Sequence, residues 1–320
     1  MPRAYFQPPA RDQSDITGPL IANLQAALAV PVIDGVFGPQ TAARLKAFQA
    51  AHAIAATAIV DSATWRALQR SPAPDLFGRC LQLTAAFEGT FYAGVVGNFD
   101  GAGLTWGILG FTLQSGQLAQ ILREVLATAP AAVAAAFGPN LAALRMAIAP
   151  QTPWSQRLAF AEAISDPADK SRLLPPWNAA FSALGALPQA RQCQLDHAKT
   201  VYWARARQDF AALDLTDEPD AALMFDAAVQ NGGLTREQIL ALRQYRATNP
   251  GLSGPAFRQR IAQTLADAAQ SAFRSDVLAR KTTIASGFGV VHGANYTLTR
   301  WGLQNAIPAG PGASPKLHPP

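Results

Sequence analysis

The chain is poor in cysteine, in charge, in strand-forming runs and in long apolar stretches, and each shortage excludes something. Two cysteines in 320 residues, Cys80 and Cys193, cannot build a disulfide framework. One bridge between them is possible, but both fall in apolar helical stretches, and two free buried thiols fit that placement better. The same placement argues against a Cys nucleophile activated by His. Charged residues make up only 15% of the chain, and Lys and Arg form no dense block, so there is no nucleic-acid footprint. The longest apolar tract, "ATAPAAVAAAFG" (127–138), is interrupted by proline and is mostly alanine, so no membrane span is expected. The N-terminus, "MPRAYFQPPARDQSD", has no apolar core of a Sec signal peptide. No Gly-x-Ser-x-Gly elbow and no Walker loop occur, so acyl and phosphoryl transfer find no support.

What is abundant is alanine and other helix formers. Runs of Val, Ile and Thr are few, which predicts a mainly α fold. The length allows two domains, one small and one large. Residues 1–14 read as a disordered tail, 15–70 as a compact unit, 71–78 ("SPAPDLFG") as a linker, 79–307 as a larger helical domain, and 308–320 as a second disordered tail. The net charge of +5 suits a partner with scattered carboxylates or phosphates, such as a bacterial envelope. A basic soluble protein with no such partner would show the same charge. A monomer is expected.

The first unit contains three helical stretches. "GPLIANLQAAL" repeats leucine every four residues, at Leu20, Leu24 and Leu28. "PQTAARLKAFQAAH" does the same with Ala42, Leu45, Phe48 and Gln49. "DSATWRALQR" begins with Asp61 as a natural N-cap and turns Trp65 and Leu68 inward. Between the first two, "DGVFG" makes a turn at Asp34-Gly35 and offers Phe37 to the core. The set Asp34, Gly35, Phe37, Gly38, Thr41, Leu45, Phe48, Gln49, Asp61, Thr64, Trp65 and Leu68 resembles the three-helix peptidoglycan-binding domain found on many cell-wall hydrolases. The resemblance implies a small three-helix bundle that binds bacterial peptidoglycan. Phe37, Phe48 and Trp65 read as its core rather than its binding face.

In the larger domain, "EGTFYAGVVGNFDGAGLTWGILGFT" (88–112) holds only two acids, Glu88 and Asp100, among glycine, small and aromatic residues. Hydrolysis of a glycosidic bond commonly needs one protonated acid on the leaving oxygen and one ionised carboxylate opposite it. Glu88 ends a helix after the apolar run 83–87. An apolar setting disfavours a charged carboxyl, which suits a proton donor. Asp100 stands among glycines whose N–H groups favour the ionised form, and Thr105 could hold a water beside it. An Asp before Gly also makes turns with no chemistry, and both readings stand at this point. Tyr92, Phe99 and Trp106 flank the acids; aromatic rings stack on sugars, but core packing also claims them. Asn98 and Asn231 could bond acetamido groups, or serve as turn and cap residues. Cys193, Asp196 and His197 lie within five positions with no second cluster, so no metal or cofactor is expected. His292 reads as a loop residue.

The series Asp100-Gly101-x-Gly103-x-Thr105, then Gly107-Ile108-x-Gly110-Phe111, and later Phe225, Asp226, Ala227, Val229 and Gly232, resembles the chitosanase-like (glycoside hydrolase family 46-like) branch of the lysozyme superfamily. The resemblance implies a two-lobed helical fold with a cleft. It implies Glu88 as general acid, Asp100 as general base and Thr105 as the water-orienting hydroxyl. It also implies that Asp226 joins an arginine network holding the acid, with Arg280 as candidate partner. The departures point to substrate. The arginine of the family's loop is Ala102 here, and the acid that reads a free amine would fall near the uncharged Gln117. The spacing from Glu88 to Asp100 is nearer that of phage-type lysozymes.

Together these features predict a modular peptidoglycan hydrolase of muramidase or endolysin type. It would act at the bacterial wall, delivered by holin-type lysis or by a secretion machine. A chitosan or chitin glycosidase, a lytic transglycosylase and a non-catalytic wall-binding protein are the alternatives. A separable first unit would also predict that removing residues 1–70 leaves a folded domain.

Overall fold

The computed structural model describes residues 4–8, 10–68, 73–89 and 91–304, and it is mainly helical. The expected tail 308–320 lies outside the described residues. Two compact units form, one from Met1–Phe87 with Tyr202–Pro320, the other from Glu88–Val201.

The chain opens with strand β1 (Ala4–Phe6) and continues through helices α1 (Pro19–Ala27) and α2 (Pro39–Ala51), strand β2 (Val60–Asp61) and helix α3 (Ser62–Ala67). The three helices stand where the periodicity placed them. α1 and α2 begin on proline, whose missing N–H costs nothing in a first turn. Asp61 caps α3 by accepting from the Thr64 N–H at 2.7 Å. Phe37 is fully buried and Trp65 nearly so. Phe48 is only half-buried and stacks on His52 at 4.0 Å, a correction to its reading as core. The interior of this bundle turns on two buried glutamines. Gln25 bonds Asp34 Oδ1, the Val36 carbonyl, Thr41 Oγ1 and the Gly35 N–H, which fixes the "DGVFG" turn. Gln49 does the same for the approach to β2 through Ile59, Thr64 and Ala58.

Helix α4 (Leu76–Glu88) begins inside the expected linker. Strands β3 (Val95–Val96), β4 (Thr105–Trp106) and β5 (Phe111–Thr112) form an antiparallel meander. Helices α5 (Gln117–Thr128), α6 (Pro130–Phe137), α7 (Leu141–Ile148), α8 (Trp154–Ile164), α9 (Pro175–Ala186) and α10 (Pro188–His197) complete the second unit. The stretch Pro130–Ile148 is long and apolar enough, by length and composition, to cross a membrane. Gly138, at φ 49°, and Pro139 break it into two eight-residue helices, each far below the ~20 residues of a span.

A π-helical segment, Ala198–Trp203, leads into α11 (Ala204–Ala212), α12 (Glu218–Asn231), α13 (Arg236–Thr248), α14 (Gly254–Ala268) and α15 (Arg274–Ser286). Asp217 and Asp220 form a capping box on α12, and Gly232 ends it in the left-handed conformation, as its Gly-Gly stop predicted. The closing segment is the hairpin β6 (Phe288–Val291) and β7 (Ala294–Thr297). Both cysteines are free and buried, and burial pushes the Cys80 thiol up, away from a reactive thiolate.

Residues 4–8 and 10–14, within the stretch expected as a disordered tail, form a strap; residues 1–3 and 9 lie outside the described residues. β1 pairs with β2, and Phe6 is fully buried. The Ser14 N–H donates to the Asn295 carbonyl at 2.7 Å, and Thr297 Oγ1 donates to Gln13 Oε1 at 2.9 Å. Arg300 donates to the carbonyls of Pro8 and Ser14, both at 3.0 Å. The first bundle is also fastened to α4, because Gln82 Oε1 accepts from the Leu20 N–H at 2.9 Å and so caps α1. The three-helix bundle and the C-terminal third therefore share one compact unit, and the separability expected from composition gives way to a fused arrangement. Two outcomes follow. Phe6→Ala should cost about 3–5 kcal/mol in urea unfolding of the full chain. Removing residues 1–70 should leave a chain that melts well below the full protein; equal melting temperatures would contradict the fused arrangement.

Candidate active site

The second unit brings Glu88, Tyr92, Asn98, Asp100, Thr105 and Trp106 into one segment of chain. Glu88 is the last residue of α4, followed by Gly89 at φ 66°, the left-handed turn that ends a helix. β4 carries Thr105 and Trp106 and pairs on both sides, Thr105 with Val96 and with Thr112. Successive strand residues face opposite ways. Thr105 is accordingly half-exposed, and Trp106 is fully buried with its ring 6.0 Å from Phe181. Trp106 is thus core, and its assignment as a sugar contact is corrected.

Gly110 joins the acid to the threonine. It adopts φ 60°, and a methyl group on its Cα would lie 3.5 Å from Thr105 Cγ2 and 3.7 Å from Glu88 Oε2. The Glu88 carboxylate and the Thr105 side chain thus face the same bare surface of Gly110. Thr105 Oγ1 makes no hydrogen bond among the described residues. A small residue in the left-handed region leaves open space there that a side chain would fill.

Asp100 sits on the loop between β3 and β4. Its Oδ1 accepts from the Ala102 N–H at 3.0 Å, a turn bond, and its Oδ2 makes no hydrogen bond among the described residues. The loop is held by Asn98. The Asn98 N–H donates to Ser165 Oγ at 2.9 Å, its Nδ2 donates to Glu162 Oε1 at 2.6 Å, and its Oδ1 accepts from the Gly103 N–H at 2.8 Å. Asn98 is buried with these bonds made, so it braces the Asp100 loop and is not free to bind an acetamido group. Phe99, by contrast, is 62% exposed. Tyr92 is half-buried, its ring lying 5.5 Å from the Arg191 guanidinium, and burial raises its hydroxyl pKa against the opposing effect of Arg191. Gln194, fully buried, spans this region by accepting from the Ile108 N–H and donating to the Tyr92 carbonyl.

Asp226, Asn231 and Arg280 belong to the first unit. The expected pair is present, with Arg280 Nη2 donating to Asp226 Oδ1 at 2.6 Å. Sequence reasoning missed Lys281, which is fully buried and donates to Asp226 Oδ2 at 2.5 Å and to Gln230 Oε1 at 2.6 Å. The signal was there in the helical period. Val277, Arg280, Lys281 and Ile284 share one face of α15, so two cations lie on a core-facing stripe. From Gln230 the network runs outward to Asp276 and then His292, each link 2.6 Å. Burial alone would raise the Asp226 pKa; Arg280 and Lys281 outweigh it and hold the carboxyl down at about 2. The Arg280 guanidinium also lies 5.4 Å from the ring of Phe87, the residue before Glu88. Asn231 ends α12, its Oδ1 buried and without a hydrogen bond among the described residues.

Two outcomes test this geometry. Gly110→Ala should cost roughly 1–2 kcal/mol of stability through left-handed strain, while its methyl fills the open space in van der Waals contact with Glu88 and Thr105 and lowers activity more than stability. Asp226 is depressed in the folded state, so its contribution is complete above the ordinary carboxyl range and is lost as pH falls from about 4 towards 2. Asp226→Ala should cost about 3–5 kcal/mol at neutral pH by removing the carboxylate that the two buried cations share, and should flatten that acid-side loss. A variant as stable as the parent would contradict the role given to this carboxylate.

Comparison with known proteins gives three findings. Residues 17–68 match the family model described as "Putative peptidoglycan binding domain", within the unit expected at 15–70. No curated protein sequence matches the chain. Among solved structures, the chain is similar to a native chitosanase from Bacillus subtilis MY002, at 20% identity and TM-score 0.46, over 66% of this chain and 88% of that one. A mutant of that enzyme complexed with GlcN gives 21% identity and TM-score 0.46 over the same shares. A Gynuella sunshinyii chitosanase complexed with chitotetraose gives 17% identity and TM-score 0.45, over 68% of this chain and 88% of that chain.

Proposed function

We propose that the protein is a glycosidase that hydrolyses the glycan strand of bacterial peptidoglycan, at the β-1,4 bond after N-acetylmuramic acid. The observation that carries this reading is the shared facing of Glu88 and Thr105 onto the bare surface of Gly110. In this reading Glu88 donates a proton to the leaving glycosidic oxygen. Asp100, with one oxygen held by the Ala102 N–H and the other unbonded among the described residues, takes a proton from the attacking water. The Thr105 hydroxyl orients that water. Phe99 and Tyr92 supply aromatic surface for sugar rings. Asp226 and Arg280 steady the helix that ends in Glu88, through the guanidinium over Phe87.

Three features support peptidoglycan as the substrate. Residues 17–68 match a peptidoglycan-binding family model. The chain carries +5 overall, which suits a partly anionic glycan better than a cationic one. By the chitosanase-like resemblance, the acid that reads a free amine would fall near position 117, which is Gln here. The reading places the protein's work at the bacterial wall.

The test is mass spectrometry of fragments released from purified cell-wall sacculi, with chitosan in parallel. The wild type should release muropeptides with reducing N-acetylmuramic ends, and Glu88→Gln should slow release by roughly 10²–10⁴-fold. Anhydro-muramic ends would make it a lytic transglycosylase. Cleavage of chitosan alone would move the substrate, and no release by the wild type would leave a wall-binding protein without hydrolysis.

A further inference from the structure

A concave site lies beside the Asp100 loop, in the same unit. It is a cavity of about 550 Å³ where α7 turns into α8, with Met146, Ala149 and Phe160 among its apolar walls and Gln151, Thr152 and Gln156 among its polar ones. That volume falls within the roughly 300–1,000 Å³ of ligand pockets. Thr152 Oγ1 is used internally, on the Met146 carbonyl at 2.5 Å. The Gln151 and Gln156 side chains are exposed and make no hydrogen bond among the described residues, so both can pair with amide groups of a ligand. Met146 is 69% exposed, an apolar side chain left at a pocket mouth.

Charge narrows the occupant. Between Glu124 and Glu162 the chain has no acid and two cations, Arg145 and Arg157. Arg157 is fastened to the cavity wall through the Ala149 carbonyl at 3.0 Å, and Arg145 is exposed one residue before Met146. Apolar walls, free amides and two cations, Arg145 and Arg157, each next in sequence to a lining residue, fit a short acidic peptide with small apolar side chains.

Position links the cavity to the candidate active site. Trp154 lies between Pro153 and Gln156, both lining residues. A methyl group on Gly103, in the Asp100 loop, would lie 3.1 Å from Trp154 Cη2. The cavity rim therefore adjoins the loop that carries Asp100. We infer that this cavity binds the alanine- and glutamate-containing stem peptide that hangs from the muramic residues of peptidoglycan. The inference rests on the glycosidase reading above. It makes the enzyme selective for strands that still carry their peptides.

Calorimetric titration of the full chain with the free stem pentapeptide reads binding without turnover. The wild type should bind the peptide, and Arg145→Glu and Met146→Asp should each weaken binding about tenfold, with circular dichroism melting as the check on folding. Both replaced side chains are exposed, so the fold does not depend on them. No wild-type binding at millimolar peptide would overturn the inference, as would binding unchanged in both variants. So would loss, in the same variants, of binding to anionic phospholipid vesicles with peptide binding intact, which would make the apolar 130–148 stretch a lipid-contacting surface. Failure here leaves the glycosidase reading standing, because muropeptide release tests that reading separately.

Discussion

Arg280 and Lys281 put two cations into the core, and Asp226 is the carboxylate that bonds both. A buried charge left alone is strongly destabilising, so this triad fixes how α12 and α15 must meet. A shift of either helix by one residue would part the carboxylate from both partners. The triad need not add net stability over an apolar core of the same shape. What it does is specify one arrangement. Gln230, Asp276 and His292 extend that arrangement from the core to the surface. Phe87 lies between Arg280 and Tyr296, its ring 4.8 Å from the tyrosine ring, so the last turn of α4 is set by the same network.

The three-helix bundle was legible because its turn and cap residues carry their own geometry. Asp34, Gly35 and Asp61 do locally what their types do anywhere. The pair Asp226–Arg280 was legible only through a resemblance; Lys281 was visible in the helical period but read past, because a lysine on a core-facing stripe is rare. Trp106 was misjudged because flanking an acid in sequence says nothing about facing. Once Thr105 and Trp106 lie on one strand, only one of them can reach solvent on the acid's side. Asn98 was misjudged for a related reason. Its three partners include Ser165 and Glu162, more than sixty positions away, and no local pattern announces them. The strap at 4–14 was missed because polar and proline-rich composition reads as disorder, while its order comes from partners near residue 300.

That strap changes how the wall-binding match should be understood. A flexible tether raises local substrate concentration and leaves orientation free. Here the bundle at 17–68 is capped by Gln82 of α4 and clamped by residues that also hold the C-terminal hairpin. Binding through such a bundle would present the rest of its unit to the wall in a fixed attitude. Geometry, rather than concentration alone, becomes the contribution of the binding unit.

The proposed function rests on a division of labour between a proton donor at 88 and a proton acceptor at 100. The most direct measurement is kcat/KM on peptide-bearing glycan strands, for the wild type and for Asp100→Asn. The variant should be slower by roughly 10²–10⁴-fold, with KM near the wild-type value. A variant that works at the wild-type rate would contradict this division of labour.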